Sequence, residues 1–427
     1  MQLMFPEIIG LLIISLCIVL FIMRPIPNAA TACLGCLLFA LTGICTIQEA
    51  FSGFSNSTVL LMFGMMVVGI AMMDTGAARL ISNYVERVSG GNEKTFIFYA
   101  GITSVALSMF LSNTAVIAIF LPIIESVSSS NKNMKRQNLT LPVTMGAMFG
   151  GVCTLVGSTP QLTANGILSK MTGLELQMFD FFIPGIFLMV IYMIFVLTIG
   201  YRFGNQIWGG TQENTTSNSM PNSNGEIIVD KRKILTMILI FILTIVMFIG
   251  GWIPTATTAI LAALLCIITK CTDQKSIFKK MDWSVVFVLA GCLGLASGLT
   301  SSGAGELMSG ILSNIFKNSI SPVLVFAFFV FLTMVISNFI TNSTAVVIIL
   351  PIALSLCIAH GYNAIPFTLG IVYAANLAFS TPLANAQTAM TLVAGYKFSD
   401  YIRYTWILDI LIFIGIVAIV PFCFPLV

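Results

Sequence analysis

Charged residues are scarce in this sequence: Asp, Glu, Lys and Arg make up 8% of its 427 residues. A soluble globular domain carries about 25%. Hydrophobic residues reach 58%, and the apolar runs are far longer than the strands of a membrane β-barrel. The composition therefore predicts an all-α polytopic protein that lies in a lipid bilayer.

Residues for catalysis or metal binding are also scarce. The single histidine, His360, falls in a predicted loop, and the ten cysteines lie almost all within apolar runs. Cys33 and Cys36 have the spacing of a metal or redox pair, but we interpret them as packing residues because no histidine is near. We therefore expect no enzyme activity and no cofactor. The net charge of +3 gives no indication of a nucleic-acid partner.

The apolar runs divide the chain into two similar halves. The first half, 1–202, has five predicted membrane spans and a hairpin at 95–127. Gly, Asn, Ser and Thr dominate residues 203–233, which predicts a flexible cytoplasmic linker. The second half, 234–427, has five further spans and a hairpin at 321–359. A short arm is predicted before each hairpin, at 77–88 and 304–316.

Each predicted hairpin contains one hydroxyl–amide–hydroxyl triplet. The triplets are Ser112-Asn113-Thr114 and Thr341-Asn342-Ser343, and a proline follows each asparagine nine residues later. Three adjacent polar side chains in hydrocarbon cost several kcal/mol if they are unpaired. We therefore expect each triplet at the tip of a re-entrant hairpin, where the backbone meets a ligand or water rather than lipid.

Corresponding residues of the two halves are separated by nearly constant intervals. Asn113 corresponds to Asn342, and Ile26-Pro27 recurs as Ile253-Pro254. Ser158-Thr159-Pro160 recurs as Ser380-Thr381-Pro382, at an interval only a few positions shorter. A duplication with small insertions explains these intervals. Because each unit has an odd number of spans, the second copy is expected to be inverted relative to the first.

The distribution of basic residues supports this topology. If the hairpins do not cross the membrane, 17 of the 19 Lys and Arg residues lie on one side, and Lys170 and Lys317 lie on the other. The positive-inside rule makes the first side cytoplasmic. We therefore expect both termini outside the cytoplasm, the first hairpin to enter from the cytoplasm and the second from outside. The expected location is the cell membrane.

Inverted repeats, opposed hairpins and interrupted helices together are the architecture of a secondary transporter. The predicted interruptions are 157–161 and 380–382. At such a break, a helix N-terminus can hold an anion, and free carbonyls with Asn and Ser oxygens can hold a hard cation such as Na⁺. No Lys or Arg lies near the hairpin tips or breaks. Co-bound cations would therefore balance a bound anion, which gives coupling a physical cause.

The paired triplets, each followed by an interrupted helix with a Thr-Pro element, resemble the divalent anion:sodium symporter family (solute carrier family 13) of the ion-transporter superfamily. The resemblance covers nearly the whole chain, including residues 50–56 before the third span. It implies a homodimer that works by an elevator mechanism. The hairpins and spans 4, 5, 9 and 10 would move, and the other spans would form a scaffold.

The resemblance also implies binding residues. One sodium site would use Ser108, Ser112, Asn113 and Gly157. The other would use Ser337, Asn342 and the backbone of Ile340 and Phe379. The substrate would lie between Asn113-Thr114 and Asn342-Ser343, near Ser158 and Thr381. Both breaks depart from the family's usual Thr-Pro-Pro-Asn element, which leaves the substrate open; Asn385 or Gln387 would replace the missing amide.

The sequence thus predicts sodium-coupled symport of a small anion, foremost a C4-dicarboxylate. Alternatives within the superfamily are a sulfate or citrate carrier, an anion exchanger and an arsenite-type efflux permease; from another class, an ion channel. A proton antiporter is less favoured, because it needs a buried carboxylate at the breaks and none is expected there. Asp409, in the last predicted span, is interpreted either as a packing residue near the cytoplasmic face or as a coupling residue.

Overall fold

The chain is all-helical wherever its structure is described. The computed structural model describes residues 5–23, 25–77, 91–131, 134–208, 231–305, 307, 321–382 and 385–427, and these contain helices and turns but no strand. The all-α class is therefore confirmed. Most of the predicted arms at 77–88 and 304–316 and most of the predicted linker at 203–233 lie outside the described residues.

The helices of the first half begin with two apolar helices near the N-terminus and end with a helix that contains a π-helical turn. In chain order they are α1 (Pro6–Met23), α2 (Asn28–Leu41), α3 (Ile47–Ala50), α4 (Ser57–Asp74), α5 (Glu93–Ser108), α6 (Asn113–Ser130), α7 (Arg136–Gly151), α8 (Thr159–Thr172), α9 (Phe182–Phe195) and α10 (Tyr201–Trp208).

The second half contains nine α-helices in the described residues. Its members are α11 (Lys231–Gly250), α12 (Thr255–Ile268), α13 (Gln274–Lys280), α14 (Trp283–Ser302), α15 (Pro322–Ser337), α16 (Asn342–His360), α17 (Ala364–Asn376), α18 (Ala386–Met390) and α19 (Phe398–Cys423).

Seven helical segments of the described chain are long and apolar enough to cross a membrane: α1, α4, the run from α9 through α10, α11, α14, α16 and α19. Six of them fall into two groups by environment, and the run from α9 through α10 lies between the groups, with 39% buried. In α1, α11 and α19 only 22–28% of the residues are buried inside the protein, whereas in α4, α14 and α16 the share is 61%. The first group can therefore present apolar side chains to lipid, and the second forms the interior.

The interior joins the two halves of the chain. Helix α4 packs on α12, α2 packs on α14, and α8 packs on both α14 and α16. Small residues allow the close approaches: a Cβ atom added at Gly64 would overlap Ala259, and one added at Gly150 would overlap the backbone of Val105. Close packing through small residues is the usual way in which helices associate in membranes.

Each hairpin turns immediately before its triplet asparagine. Helix α5 ends at Ser108 and α6 begins at Asn113, while α15 ends at Ser337 and α16 begins at Asn342. The Ser112 hydroxyl accepts the Ala115 N–H at 3.4 Å and so caps α6. The sequence therefore located both turns correctly. Whether the hairpins are re-entrant stays a prediction, since α16 alone is long enough to span a membrane.

The helix breaks differ from those that the sequence predicted. The first break spans residues 152–158, between α7 and α8, rather than 157–161. Thr159, Pro160 and Gln161 instead form the first turn of α8, because proline at this position lacks only an N–H that would be free in any case. The second break follows the end of α17 at Asn376 and precedes the start of α18 at Ala386; its described residues are 377–382 and 385, which include the predicted 380–382.

The predicted boundaries of the linker also shift. The helix of span 5 continues through a π turn at Val196–Gly200 and then α10 to Trp208, beyond residue 202. Trp208 is buried, with its ring 5.1 Å from Tyr396 and 5.3 Å from Tyr404 between centroids. This aromatic contact holds the end of α10 against Tyr396 and Tyr404, which explains why the helix continues to Trp208. On the other side of the linker, α11 begins at Lys231 rather than after residue 233.

Candidate functional site

The tip of the first hairpin lies against the first helix break. The Ser108 hydroxyl donates a hydrogen bond of 2.6 Å to Asn113 Oδ1, and Asn113 is 3% exposed. A Cβ atom added at Gly151 would overlap the Asn113 side chain, and one added at Gly157 would overlap the Gly151 backbone. Three of the predicted sodium-site residues, Ser108, Asn113 and Gly157, are thus packed together around the end of α7.

A second contact fixes the same hairpin to the break. The Thr154 hydroxyl donates to the carbonyl oxygen of Met109, which lies one residue beyond the end of α5. Ser112 is exposed, and its hydroxyl lies 3.3 Å from that of Thr114. Ser112 is therefore occupied with capping at the tip, while Thr154, which the sequence did not single out, joins hairpin and break.

The tip of the second hairpin has the same arrangement. The Ser337 hydroxyl lies 3.0 Å from Asn342 Oδ1 and 2.6 Å from the carbonyl oxygen of Ala375, so it can donate to either. The Thr381 hydroxyl donates to the carbonyl oxygen of Asn338. Ser337 therefore joins Asn342 to the end of α17, and Thr381 joins the break to the hairpin through Asn338; all three are predicted site residues.

These contacts repeat in the two halves of the chain. The tip residues Ser108, Met109 and Asn113 correspond, at one constant interval, to Ser337, Asn338 and Asn342, and Thr154 corresponds to Thr381 at nearly the same interval. The sequence instead paired Ser158-Thr159-Pro160 with Ser380-Thr381-Pro382, and the hydrogen bonds do not follow that pairing. The two tripeptides differ in structure, because the first starts α8 whereas the second lies within a break.

A polar bridge joins the first break to the second half of the chain. The Ser158 hydroxyl lies 2.9 Å from Asn376 Oδ1, at the end of α17 and the start of the second break. Asn376 Nδ2 in turn lies 3.5 Å from Gln161 Oε1. Gln161 and Asn376 are 0% and 2% exposed, and the sequence analysis assigned neither a role in binding. Asn376 could have been identified from the sequence, because it is an asparagine at the end of an apolar helix, just before a break.

The remaining predicted site residues line the tips and breaks. Thr114 and Ser343 are half-buried and stand in the first turns of α6 and α16. Ile340 is buried at the tip of the second hairpin, between α15 and α16. Phe379 is fully buried in the second break, and its ring is stacked on that of Phe149 in α7, with 5.6 Å between the ring centroids. The backbone carbonyls of Ile340 and Phe379 therefore lie in non-helical stretches, where they do not take part in helical hydrogen bonds.

The electrostatics of this region come from dipoles and neutral oxygens. Residues 95–131, 137–169 and 321–396 contain no Lys or Arg. Helices α6, α8 and α16 begin at the tips and the first break, so their free N–H groups and positive ends lie there. Hydroxyl, amide and carbonyl oxygens supply the complementary negative surface. The arrangement can hold an anion and a hard cation next to each other.

One carboxylate reaches the second break, contrary to the sequence-based expectation. The Ser380 hydroxyl donates to Asp409 Oδ2, and the Thr405 hydroxyl lies 3.2 Å from the same atom. The prediction that no carboxylate sits at the breaks was therefore wrong. Helix α19 packs along α17, so a residue 29 positions after Ser380 returns to the break.

Comparison with known proteins gives the family. A family model described as "Citrate transporter" (CitMHS) matches residues 18–342. An uncharacterized transporter of Haemophilus influenzae is 26% identical over 97% of this chain and 91% of its own. The sodium-dependent dicarboxylate transporter SdcS of Staphylococcus aureus is 22% identical over 88% of this chain and 78% of its own.

Solved structures agree on the fold. The YdaH transporter of Alcanivorax borkumensis aligns over 98% of both chains with a TM-score of 0.66 and 12% identity. MtrF of Neisseria gonorrhoeae, described as an antimetabolite efflux pump, aligns over 100% of this chain and 96% of its own with a TM-score of 0.64 and 11% identity. At such identities the likeness concerns the fold alone. The family match, with its transporter relatives, confirms the resemblance to the ion-transporter superfamily: this chain belongs to the citrate transporter family and is a multi-pass membrane transporter rather than an enzyme.

Proposed function

We propose that this protein is a sodium-coupled symporter for a small dicarboxylate. The observation that carries the proposal is the paired contact between hairpin tip and helix break: Ser108 with Asn113, and Ser337 with Asn342, each held beside a break that contains no basic residue. The relationship to the sodium-dependent dicarboxylate transporter of S. aureus supports both the cation and the substrate class.

Two sodium ions would bind at these paired contacts. The first site consists of Ser108, Ser112, Asn113 and Gly157, and the second of Ser337, Ile340, Asn342 and Phe379. Sodium prefers hard oxygen ligands, and each set offers hydroxyl, amide and backbone carbonyl oxygens. Because Asn113 and Asn342 already point their Oδ1 atoms toward a serine hydroxyl, little rearrangement is needed to turn these oxygens toward a cation.

The substrate would lie between the two tips. Asn113, Thr114, Asn342 and Ser343 stand in the first turns of α6 and α16, whose positive ends attract a carboxylate at each end of the substrate. Ser158 and Thr381 would complete the site from the breaks. Without sodium, the two carboxylates would be desolvated against neutral groups alone, so the substrate binds well only when the cations are bound.

The transport cycle would follow an elevator mechanism in a homodimer of the cell membrane. The two hairpins with α7 to α10 and α17 to α19 would carry the substrate across, past a scaffold formed by α1, α2, α4, α11, α12 and α14. The tip and break residues move together in this scheme, which agrees with the hydrogen bonds between them.

A citrate carrier is the second candidate, and the description of the matching family favours it. Citrate carries one carboxylate more than succinate and needs a wider site or an additional cation. Exchange of anions and efflux of arsenite use related folds but do not require the sodium sites. These alternatives differ in which anion binds and in whether sodium is needed.

A thermal-stability panel on the purified protein tests the proposal. Succinate, malate, citrate, sulfate, phosphate and arsenite are each added in sodium buffer and in choline buffer. A ligand that binds the folded state raises the midpoint of unfolding by mass action. We expect succinate or malate to raise it in sodium and to have no effect in choline, and we expect sodium-driven uptake of the same anion into proteoliposomes.

Other outcomes of the panel contradict the proposal in separable ways. Stabilisation by citrate alone, in sodium, would assign the second candidate function. Equal stabilisation in sodium and choline would refute the sodium sites and favour an exchanger. Ion flux without saturation and without any effect of an anion would indicate a channel.

A further inference from the structure

The two oxygen atoms of the carboxylate at the second break differ in their hydrogen bonds. Asp409 Oδ2 receives the hydrogen bonds of Ser380 and Thr405, whereas Asp409 Oδ1 is enclosed and makes no hydrogen bond of good geometry within the described residues; the backbone N–H of Phe379 also lies near the carboxylate. The Ser380 and Thr405 hydroxyls lie 3.3 Å from each other. Three side chains from the break and from α19 thus place four oxygen atoms close together.

The charge of Asp409 has no basic partner in the described part of the chain. The ion pairs found there join Arg136 to Glu125 and Lys280 to Asp74, both remote from the second break in sequence. The nearest basic residue in the sequence, Arg403, is exposed and lies six residues earlier on α19. An enclosed carboxylate without a counter-charge is costly, and an ionisable residue within a membrane span usually serves a function.

In the first half of the chain, no carboxylate accepts a hydrogen bond from the break among the described residues. When Thr154 is aligned with Thr381, Cys153 takes the place of Ser380. Cys153 packs beside Gly185 of α9, where an added Cβ atom would come within 3.0 Å of the cysteine sulfur. The first break is therefore formed without a hydrogen bond to a carboxylate, whereas the second break has one to Asp409.

Resting on the proposed sodium coupling, we propose that Asp409, Ser380 and Thr405 form a further sodium site, which adjoins the second tip site at Phe379. A hydroxyl can donate its one hydrogen to the carboxylate and direct its lone pairs to a cation. Asp409 Oδ1 supplies the charged ligand, and carbonyls of the non-helical residues 380–382 supply the neutral ones.

The position of this site links it to transport. Ser380 directly precedes Thr381, whose hydroxyl holds the tip of the second hairpin through Asn338. A cation bound to Asp409 would neutralise the charge beside the break and order residues 377–382. The hairpin tip and its sodium site would then form more readily. Without the cation, residues 377–382 would lose this order. Binding of the third ion would therefore contribute to the coupling between sodium and substrate.

Equilibrium binding of radioactive sodium to the purified full-length protein, without substrate, tests the inference. Asp409→Asn keeps the size of the side chain and removes its charge. We expect this variant to bind one sodium ion fewer per chain than the wild type. Asp400→Asn, a change of the same type at a buried position of the same helix, is the matched control. Asp400 interacts with Trp208 and the Lys397 backbone, so we expect its variant to bind sodium as the wild type does.

A second variant guards against misfolding. Thr405→Ala retains the carboxylate and removes one hydroxyl, and we expect it to weaken one sodium site at least tenfold while a monodisperse elution profile is maintained. If folded Asp409→Asn binds the same number of sodium ions with the same affinity as the wild type, the inference is overturned, but the proposed function is not. Unchanged sodium binding with loss of proton uptake would do the same and assign Asp409 to a proton. Absence of sodium binding in the wild type would instead refute the proposed function.

Discussion

Asn113 and Asn342 occupy positions where an asparagine is costly unless it has partners. They are 3% and 7% exposed, and each is hydrogen-bonded to a serine five residues earlier in the chain. An amide buried in apolar surroundings without such a bond costs about 1–3 kcal/mol. Capping does not explain these asparagines, because Ser112 and Thr341 occupy the N-cap positions of α6 and α16. The amide is therefore better explained by a ligand.

Replacing either asparagine with alanine should abolish sodium-dependent uptake. Asn113→Ala and Asn342→Ala each remove an oxygen from one proposed sodium site and an amide from the proposed substrate site. We expect uptake of radiolabelled succinate into proteoliposomes to fall to the level without sodium, while the purified variants still unfold cooperatively. Asn138→Ala is the matched control, because Asn138 is 4% exposed and bonds to Asn205, away from the tips. Wild-type uptake by either tip variant would refute its site.

At the scale of elements, two threonines join the hairpins to the broken helices. Thr154 reaches from the first break to Met109, and Thr381 reaches from the second break to Asn338. Each bond satisfies a carbonyl just past the end of a helix, where no helical partner exists. The bonds therefore set the position of a hairpin relative to its break, which a hydrogen bond within one helix cannot do.

Valine at these positions should separate each hairpin from its break. Thr154→Val and Thr381→Val keep the shape of the side chain but leave a carbonyl without its donor, at a cost of about 1–3 kcal/mol. We expect sodium-driven uptake to fall about tenfold, the rate equivalent of roughly 1.4 kcal/mol. Thr333→Val is the control, since Thr333 is equally buried but bonds only to Phe329 of its own helix. Similar losses in all three variants would show that the two threonines serve only general stability.

The elements show which signals in the sequence were informative. Both hairpin turns could be located, because a polar triplet within an apolar run is costly unless the helix is interrupted there. The first break was misplaced because Pro160 was interpreted as an interruption, whereas it starts α8. The contact between Asp409 and Ser380 was missed because it depends on how α19 packs against α17. Contacts of this kind follow from tertiary packing and leave no local pattern.

For the whole molecule, the inverted topology is a prediction from the number of spans in each half and from the distribution of Lys and Arg. Single cysteines at residue 220 and at residue 318, in a variant that lacks the ten native cysteines, test it. The first position lies in the predicted cytoplasmic linker and the second beside Lys317, on the predicted outer side. We expect a membrane-impermeant thiol reagent to label only position 318 in intact cells and position 220 only after permeabilisation. Labelling of both from one side would refute the topology.

The elevator mechanism requires that α8 slide past α4 as a part of the moving body. The two helices touch where Asn165 Nδ2 lies 3.4 Å from Thr58 Oγ1, which gives a position for a cross-link between the proposed scaffold and the proposed moving unit. With the native cysteines removed, Thr58→Cys combined with Asn165→Cys should bind mercuric ion. We expect sodium-driven uptake to fall to background and to recover when a thiol removes the metal.

The matched cross-link lies within the proposed moving unit. Asn138 Nδ2 and Asn205 Oδ1 are 2.8 Å apart on α7 and α10, so Asn138→Cys combined with Asn205→Cys should bind mercury in the same way. This cross-link joins helices that move together, and uptake should persist. If uptake also persists when Thr58→Cys and Asn165→Cys are fully cross-linked, α4 and α8 belong to one rigid body. Substrate would then have to cross by local opening of the hairpins rather than by an elevator movement.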